Sequence, residues 1–330
     1  MSKPRIAYPE RLGYYPAFLF YLALIFIELY VLPKPAMLST VLVVYTLLTL
    51  GAAWLFGKAA WFEHGELFSV YVRLIALLAP VRYLRVADGW RLQFRRPFSA
   101  LLTTRAEHVS LLLFVLFMLS STTYDGIHEN DVWIGIFWKN ALALTQPLWG
   151  TDLGYAQLML LPWYVAFQRL GLLLSPFLHL AIYLLALWAT RVLTRSLVAL
   201  WLLALQFALS LIPIAFVYNL THNLTHFLTE IRALPYLLTD PFGFGWNLFR
   251  VNMNPPPLEP IEMGPVWHSQ AVIMLLGHLT GVYVAHVTAL RLFPTRRQAV
   301  LSQLPLVVLM ALYTIIGLTI LTLPIKPVAD

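Results

Sequence analysis

The sequence contains no cysteine among its 330 residues. This absence excludes disulfide bonds, thiolate metal sites, iron–sulfur ligation and cysteine nucleophiles within the chain. Charged residues are also scarce, at 11%, whereas a soluble domain carries roughly a quarter. No glycine-rich phosphate loop, nucleophile elbow or kinase signature is present. The net charge of +7 does not indicate nucleic acid as a partner, because the basic residues lie where a membrane would place them.

What the sequence does contain is apolar residues, which make up 60% of the chain. They are gathered in runs that reach the roughly 17–25 residues needed to cross a hydrocarbon core. Backbone polar groups inside lipid must be satisfied within their own segment, so we predict an all-α polytopic membrane protein. The alternating segments of about ten residues that are typical of a membrane β-barrel are absent. The seven predicted spans are 16–32, 37–56, 107–123, 170–190, 197–218, 267–290 and 304–323.

The distribution of charge predicts the topology. Most of the 22 lysine and arginine residues fall in segments on one side of the spans, and half of those lie in a single segment, 57–106. The positive-inside rule then places the N-terminus inside and the C-terminus outside. We expect the first span to be retained, because no small-residue cleavage signature accompanies it. The predicted location is the bacterial cytoplasmic (inner) membrane, with the lipid bilayer as the surroundings of a single domain over residues 1–330.

Three segments outside the spans are long enough to hold structure of their own. The inner segment 57–106 is amphipathic in its middle, residues 68–84, which predicts either a helix lying against anionic headgroups or a buried connector between spans. The outer segments are 124–169, rich in tryptophan, and 219–266, rich in proline and glycine. Within the second, the run MNPPPLEP (253–260) predicts a semi-rigid extended loop.

The stretch NLTHNLTHFLTE (219–230) points to a metal site at the outer face. Its two histidines are four residues apart, so they share one face of a helix and can bind the same ion. Further histidines and an acid precede or follow neighbouring spans, and imidazole with carboxylate suits zinc, copper or iron. The predicted metal ligands are His222, His226, Asp125, His128 and His268. The alternative is that these residues are polar groups that cap helices at the membrane interface.

Three further histidines lie within the predicted spans, where ionisable residues are candidates for function. His179 and His278 fall near mid-depth and could be axial ligands of a b-type haem, with His286 about 12 Å farther along the same helix as His278. The alternative is an interhelical hydrogen bond at each. Gly277 and Gly281 form a small-xxx-small pair that predicts close approach of another helix.

Glu28 is the one acid inside the first predicted span, near its outer end. A carboxylate at this depth needs a partner. The two candidates are Arg169, at the outer edge of the fourth span, and one of the outer histidines.

Six blocks of the sequence, GELFSVYVRLIALLAP (65–80), SSTTYDG (120–126), NLTHFLTE (223–230), TDPFGFGW (239–246), GHLTGVYVAHVTALRLF (277–293) and SQLPLVVLMALYTIIGL (302–318), carry a family resemblance. They resemble a family of bacterial polytopic membrane proteins, some of which are labelled fenitrothion hydrolase, an organophosphate-hydrolysing activity. The resemblance covers most of the chain after about residue 50. The residues that match the shared pattern are Asp125, His226, His278 and His286.

The resemblance also separates the outer histidines, since His128 and His268 fall in stretches that vary within the family. It brings no established catalytic residues, so the hydrolase activity is all that it implies about chemistry.

Three functions are compatible with these features. The first is an integral membrane protein with a histidine-rich transition-metal or redox-cofactor site near the outer face, acting with other membrane or periplasmic redox subunits in a respiratory or copper-handling assembly. The second is a metal-dependent phosphotriester hydrolase, in which Asp125 would orient a metal-bound water. The third is a non-catalytic subunit or transporter. We favour the first, with copper or zinc ahead of haem b as the cofactor.

Overall fold

The computed structural model describes residues 4–31, 35–86, 89–149, 153–250 and 261–321. It is 77% helical with 4% strand, which confirms the all-α prediction. Seven helical segments are long and apolar enough to cross a membrane, and each overlaps one predicted span. The chain is therefore a multi-pass integral membrane protein. The predicted proline-rich loop 253–260 lies outside the described residues.

The described elements are, in chain order, α1 (Tyr15–Tyr30), α2 (Pro35–Phe56), α3 (Lys58–His64), α4 (Leu67–Ala76), β1 (Val81–Val86), β2 (Gly89–Phe94), α5 (Ser99–Thr103), α6 (Val109–Ile127), α7 (Asp131–Trp149), α8 (Leu153–Thr194), α9 (Leu200–Phe207), α10 (Ile212–His222), α11 (Leu224–Glu230), α12 (Leu234–Thr239), α13 (Met263–Leu292), α14 (Arg296–Leu301) and α15 (Leu304–Leu321). Short 3₁₀ turns precede α1 at Glu10–Leu12 and join α9 to α10 at Ala208–Leu211.

Helix α6 is the centre of the bundle. It packs against α1, α8, α10 and α15, and its residues from Ser110 to Thr122 are buried. Helix α2, in contrast, is exposed along most of its length, as expected of a peripheral helix whose apolar surface faces lipid. The outer end of the central helix carries Asp125, so the most enclosed element of the fold positions this acid.

The spans alternate in direction as the seven-span topology requires. At the inner end, the Tyr14 amide donates to Ser110 Oγ at 2.7 Å, which joins the starts of α1 and α6. Thr190 Oγ1 donates to the Ser302 carbonyl at 2.9 Å, which joins the end of α8 to the start of the last span. The ends of α1, α6 and α10 consequently meet at the opposite, outer end. The side of the membrane that each end faces stays a prediction from charge.

Helix α8 is longer than the predicted fourth span and runs through two prolines, Pro162 and Pro176. Its 42 residues would extend about 63 Å at 1.5 Å per residue, twice the roughly 30 Å of a hydrocarbon core. Pro176 has no N–H for the carbonyl of Leu172, and Ser175 Oγ donates to that carbonyl instead, at 2.9 Å. This replacement lets the helix continue. The outer segment 124–169 is therefore mostly helical, and α7 packs along the outer half of α8.

The inner segment 57–106 differs from a continuous amphipathic helix. Helix α4 buries Leu67, Val70 and Leu74 against α1 and α10, so it is a connector, but it ends at Ala76. Residues 81–86 and 89–94 instead form two antiparallel strands of a hairpin. Pro80 disfavours helix in the residue before it, and the Asp-Gly sequence at 88–89 is a strong hairpin signal that the hydropathy analysis does not use.

The predicted close approach at the glycine pair of α13 is confirmed. A Cβ on Gly277 would lie 2.1 Å from Val217 Cγ2, and one on Gly281 would lie 2.9 Å from the Ser210 carbonyl oxygen. Both contacts are made with the fifth span, which is broken between α9 and α10. Because neither glycine has a side chain, α10 and α13 can pack this closely.

Candidate functional site

Asp125 and His222 meet at the outer end of the bundle. His222 Nε2 donates to Asp125 Oδ2 at 2.8 Å. Asp125 lies in the last turn of α6 and His222 is the last residue of α10, so the contact depends on the packing of these two helices. Gly126, beside Asp125, lets the last span approach α6 at this end, because a Cβ there would lie 2.3 Å from Ile320 Cγ2 on α15. The side chain of Asp125 is 36% exposed and that of His222 is 19% exposed. The pair is therefore open to a small ligand.

Glu28 is the third ionisable group of this region. It lies near the outer end of α1, within electrostatic range of both Asp125 and His222. The other candidate partner, Arg169, has its guanidinium over the ring of Phe26, 5.9 Å from the ring centroid. Of the two predicted partners for Glu28, the outer histidine is therefore the one that this structure supports. We refer to Glu28, Asp125 and His222 together as the outer acid–histidine site.

A buried glutamine fixes the helix that carries Asp125. Gln168 on α8 uses its whole amide: Oε1 accepts from Tyr124 Oη and from Trp133 Nε1, both at 2.9 Å. Its Nε2 donates to the His128 carbonyl at 2.9 Å and to Tyr164 Oη at 2.6 Å. Because Tyr124 and His128 flank Asp125 in the sequence, this network holds the end of α6 in place.

Of the remaining predicted metal ligands, His128 also lies beside Asp125, with its Nδ1 3.9 Å from Asp125 Oδ1, whereas His226 and His268 are exposed. His128 donates from Nδ1 to the Asp125 backbone carbonyl at 2.7 Å, and its Nε2 lies 3.7 Å from Glu129 Oε1. His226 is exposed on α11, separated from His222 by the break between α10 and α11. His268 is exposed on α13, where Nδ1 donates to the Gly264 carbonyl at 2.7 Å.

Within the described part of the chain, no group of three or more histidine or acidic side chains is already placed to hold a metal ion. The structure therefore provides one close acid–histidine pair, Asp125 and His222, with a second acid, Glu28, in electrostatic range.

The predicted intramembrane histidines form a second, buried region. His179 donates from Nδ1 to the Ser175 carbonyl at 2.9 Å, and His278 donates from Nδ1 to the Met274 carbonyl at 2.8 Å. Both are less than 10% exposed, and neither Nε2 has a hydrogen-bond partner among the described residues. The ring of Tyr313 stacks on His179 with the centroids 5.7 Å apart.

Next to His278 is a cavity of about 10 Å³ that Tyr218 and Tyr313 also line. This volume is close to the smallest that holds one water molecule. A pocket for a ligand of drug size measures roughly 300–1,000 Å³, which is far larger than this cavity. We refer to His179, His278, Tyr218 and Tyr313 as the imidazole–tyrosine region.

His286, the third intramembrane candidate, has a partner of its own. Gln303 Nε2 donates to His286 Nδ1 at 2.7 Å, which ties α13 to the start of the last span. This contact is the interhelical hydrogen bond that the sequence analysis gives as the alternative to cofactor binding.

Sequence reasoning misses Gln168, Tyr218 and Tyr313. An uncharged amide within an apolar run signals a buried polar network, so Gln168 could have been found beside Arg169. The two tyrosines carry no such signal, because tyrosine is also common where helices cross the membrane interface.

Comparison with protein families, with curated protein sequences and with solved structures gives no match to this chain. Its function must therefore be argued from the geometry of the two regions.

Proposed function

We propose that this integral membrane protein binds a divalent transition-metal ion at the outer acid–histidine site and that its function depends on that ion. The observation that carries the proposal is the 2.8 Å separation of His222 Nε2 from Asp125 Oδ2. The two residues come from different spans and are 97 positions apart, with Glu28 in range on a third span.

The chemistry of the donors supports this role. Imidazole nitrogen and carboxylate oxygen bind zinc at about 2.0–2.2 Å, so two such donors on one ion lie about 3 Å apart. The observed pair is close to that separation. Asp125 and His222 would be the first two ligands and Glu28 the third, and metal binding would displace the proton from His222 Nε2. A bound zinc ion makes its water a nucleophile near neutral pH, which is the chemistry that a phosphotriester hydrolase requires.

The fold also supports a fixed site. Metal ligands function best when neighbouring hydrogen bonds restrict their motion. The Gln168 network bonds to the residues beside Asp125, and the α10–α13 contact at Gly277 positions the helix that ends at His222.

A second candidate function is proton transfer, and the hydrogen bond between the two side chains favours it. A carboxylate that accepts from one imidazole nitrogen orients the ring and stabilises its protonated form, as in acid–base catalysis. A transporter could use the pair in this way without a metal ion.

Metal analysis of the detergent-purified protein, after loading with zinc or copper and desalting, distinguishes the two functions. We expect about one ion per chain, and its loss in His222→Ala and in Asp125→Asn. His226→Ala is the matched control, because His226 is a nearby exposed histidine with no contact to the pair, and it should retain the ion. Equal loss in His226→Ala would refute the assignment. If the protein retains no ion after loading and desalting, proton transfer is left as the function of the pair.

A further inference from the structure

The hairpin of the inner segment has one strongly apolar face. Its register pairs Val81 with Phe94 and Tyr83 with Leu92. Because side chains alternate along a strand, these residues project from the same face. Tyr83 is 70% exposed and Phe94 77% exposed. In the described part of the chain, therefore, no element of the protein covers this face.

Exposed arginines lie on both faces of the hairpin: Arg85, paired with Trp90, shares the apolar face, whereas Arg82 and Arg91 project from the opposite face. Arg82, Arg85, Arg91 and Arg96 are all exposed, and none of them forms an ion pair with a carboxylate of the described residues. The only acid of the sequence between positions 81 and 96 is Asp88. The hairpin thus combines exposed aromatic rings with unneutralised guanidinium groups.

The base of the hairpin is anchored to the membrane-spanning bundle. Arg95 Nε donates to the Ala79 carbonyl at 2.9 Å, and Arg95 Nη2 donates to the Ala76 carbonyl at 2.7 Å at the end of α4. On the other side, the carbonyl of Leu102 accepts from Arg291 at the inner end of α13. Six residues per strand span about 20 Å, and the hairpin begins next to the inner ends of the spans.

We propose that the apolar face of this hairpin lies in the headgroup region of the protein's own membrane and that its arginines bind the phosphates of anionic lipids. Tyrosine and tryptophan are enriched at this depth of a bilayer, and arginine clusters next to spans recognise anionic headgroups. The net positive charge favours an anionic lipid surface over a purely apolar protein partner. An isolated two-stranded hairpin is marginally stable in water, and this contact would stabilise it. The proposal is independent of the outer acid–histidine site.

The absence of cysteine allows a direct test, because a single introduced cysteine takes the only spin label. Leu92→Cys reports on the apolar face, and Gln93→Cys, one residue later, reports on the opposite face as the matched control. Each labelled protein is placed in nanodiscs of phosphatidylcholine alone or mixed with phosphatidylglycerol. Collision of the label with oxygen, which concentrates in lipid, and with a water-soluble nickel chelate is measured by electron paramagnetic resonance.

In the anionic nanodiscs we expect the label at 92 to collide severalfold less with the nickel chelate than the label at 93, and more with oxygen. The contrast should shrink in phosphatidylcholine alone and in the Arg85→Gln background, since Arg85 shares the face of Leu92. Equal exposure of the two labels to the chelate in anionic nanodiscs would overturn the proposal. So would a label at 92 that is shielded from both reagents whatever the lipid, which would indicate a protein contact.

Discussion

His222 and His278 lie on α10 and α13, two helices in direct contact, yet their surroundings differ in one respect. His222 is half-buried and donates to an acid, Asp125, at 2.8 Å, with Glu28 in range. His278 is 6% exposed, donates to the backbone carbonyl of Met274 and has phenols as its polar neighbours. A buried charge requires a counter-charge, whereas a neutral imidazole requires only hydrogen bonds. The outer acid–histidine site can therefore hold a cation, and the imidazole–tyrosine region is suited to neutral groups.

We expect the largest effect on stability from removal of Gln168, the glutamine that supports only the outer acid–histidine site. Gln168→Leu leaves the Trp133 indole N–H without its acceptor and removes the amide that donates to the His128 carbonyl, at about 1–3 kcal/mol for each unsatisfied group. We expect unfolding in detergent to become easier by roughly 3 kcal/mol in total, together with weaker metal binding at Asp125. Chemical denaturation and metal titration measure these two quantities.

Gln157→Leu is the control for this variant, since Gln157 is an exposed residue of the same helix. It should change neither quantity. If Gln168→Leu were as stable as the parent and bound metal equally well, the network would not be what positions the outer site.

The buried region depends instead on the close contact of α10 with α13. Gly277→Ala places a Cβ 2.1 Å from Val217 Cγ2, and overpacking of this kind costs about 1–3 kcal/mol. We expect a loss of about 2 kcal/mol of stability and a change in the ¹⁵N resonances of His278, one residue away. Gly264→Ala is the control on the same helix, because a Cβ there has nothing within 4 Å. If Gly277→Ala were as stable as the parent, α10 and α13 would be able to move apart without a loss of stability.

The comparison also shows what a sequence can reveal about such a protein. A lipid-crossing helix must be apolar over its own length, so hydropathy locates all seven spans. The contact of Asp125 with His222 depends on two helices that are far apart in the chain, and no local pattern records it. The spacing of His222 and His226 suggests a shared face, but the break at Asn223 leaves one half-buried and the other exposed.

Proline and glycine account for the other differences between expectation and structure. Pro176 does not end the fourth span, because a serine side chain replaces the donor that proline lacks. Residues 81–86 and 89–94 form strands, because Pro80 and the Asp-Gly sequence at 88–89 favour a hairpin more strongly than the spaced arginines favour a helix.

We expect the smallest effect on stability from Glu66, a carboxylate at the inner end of the bundle whose partners differ from those of Asp125. Glu66 caps α4, and its partners are neutral: its carboxylate accepts from Tyr45 Oη, from the Phe68 amide at 3.1 Å and from the Ser69 amide at 2.6 Å. Burial opposes ionisation of Glu66, yet these hydrogen bonds prevail and lower its pKa below the ordinary value of 4.5. Asp125, in contrast, has a histidine as its partner.

The direction of this pKa change determines how stability depends on pH. A carboxyl group whose folded pKa is lowered stabilises the fold fully above its unfolded pKa, and this contribution is lost as pH falls from 4.5 through the lower folded value. We expect Glu66→Gln to cost about 1 kcal/mol at pH 7, as for loss of a helix cap, and to flatten the decline of stability below pH 4.5 in thermal unfolding. Glu63→Gln, at an exposed position three residues earlier, should leave the pH profile unchanged. An identical acid decline in Glu66→Gln and the parent would show that the neutral donors do not hold this carboxylate ionised.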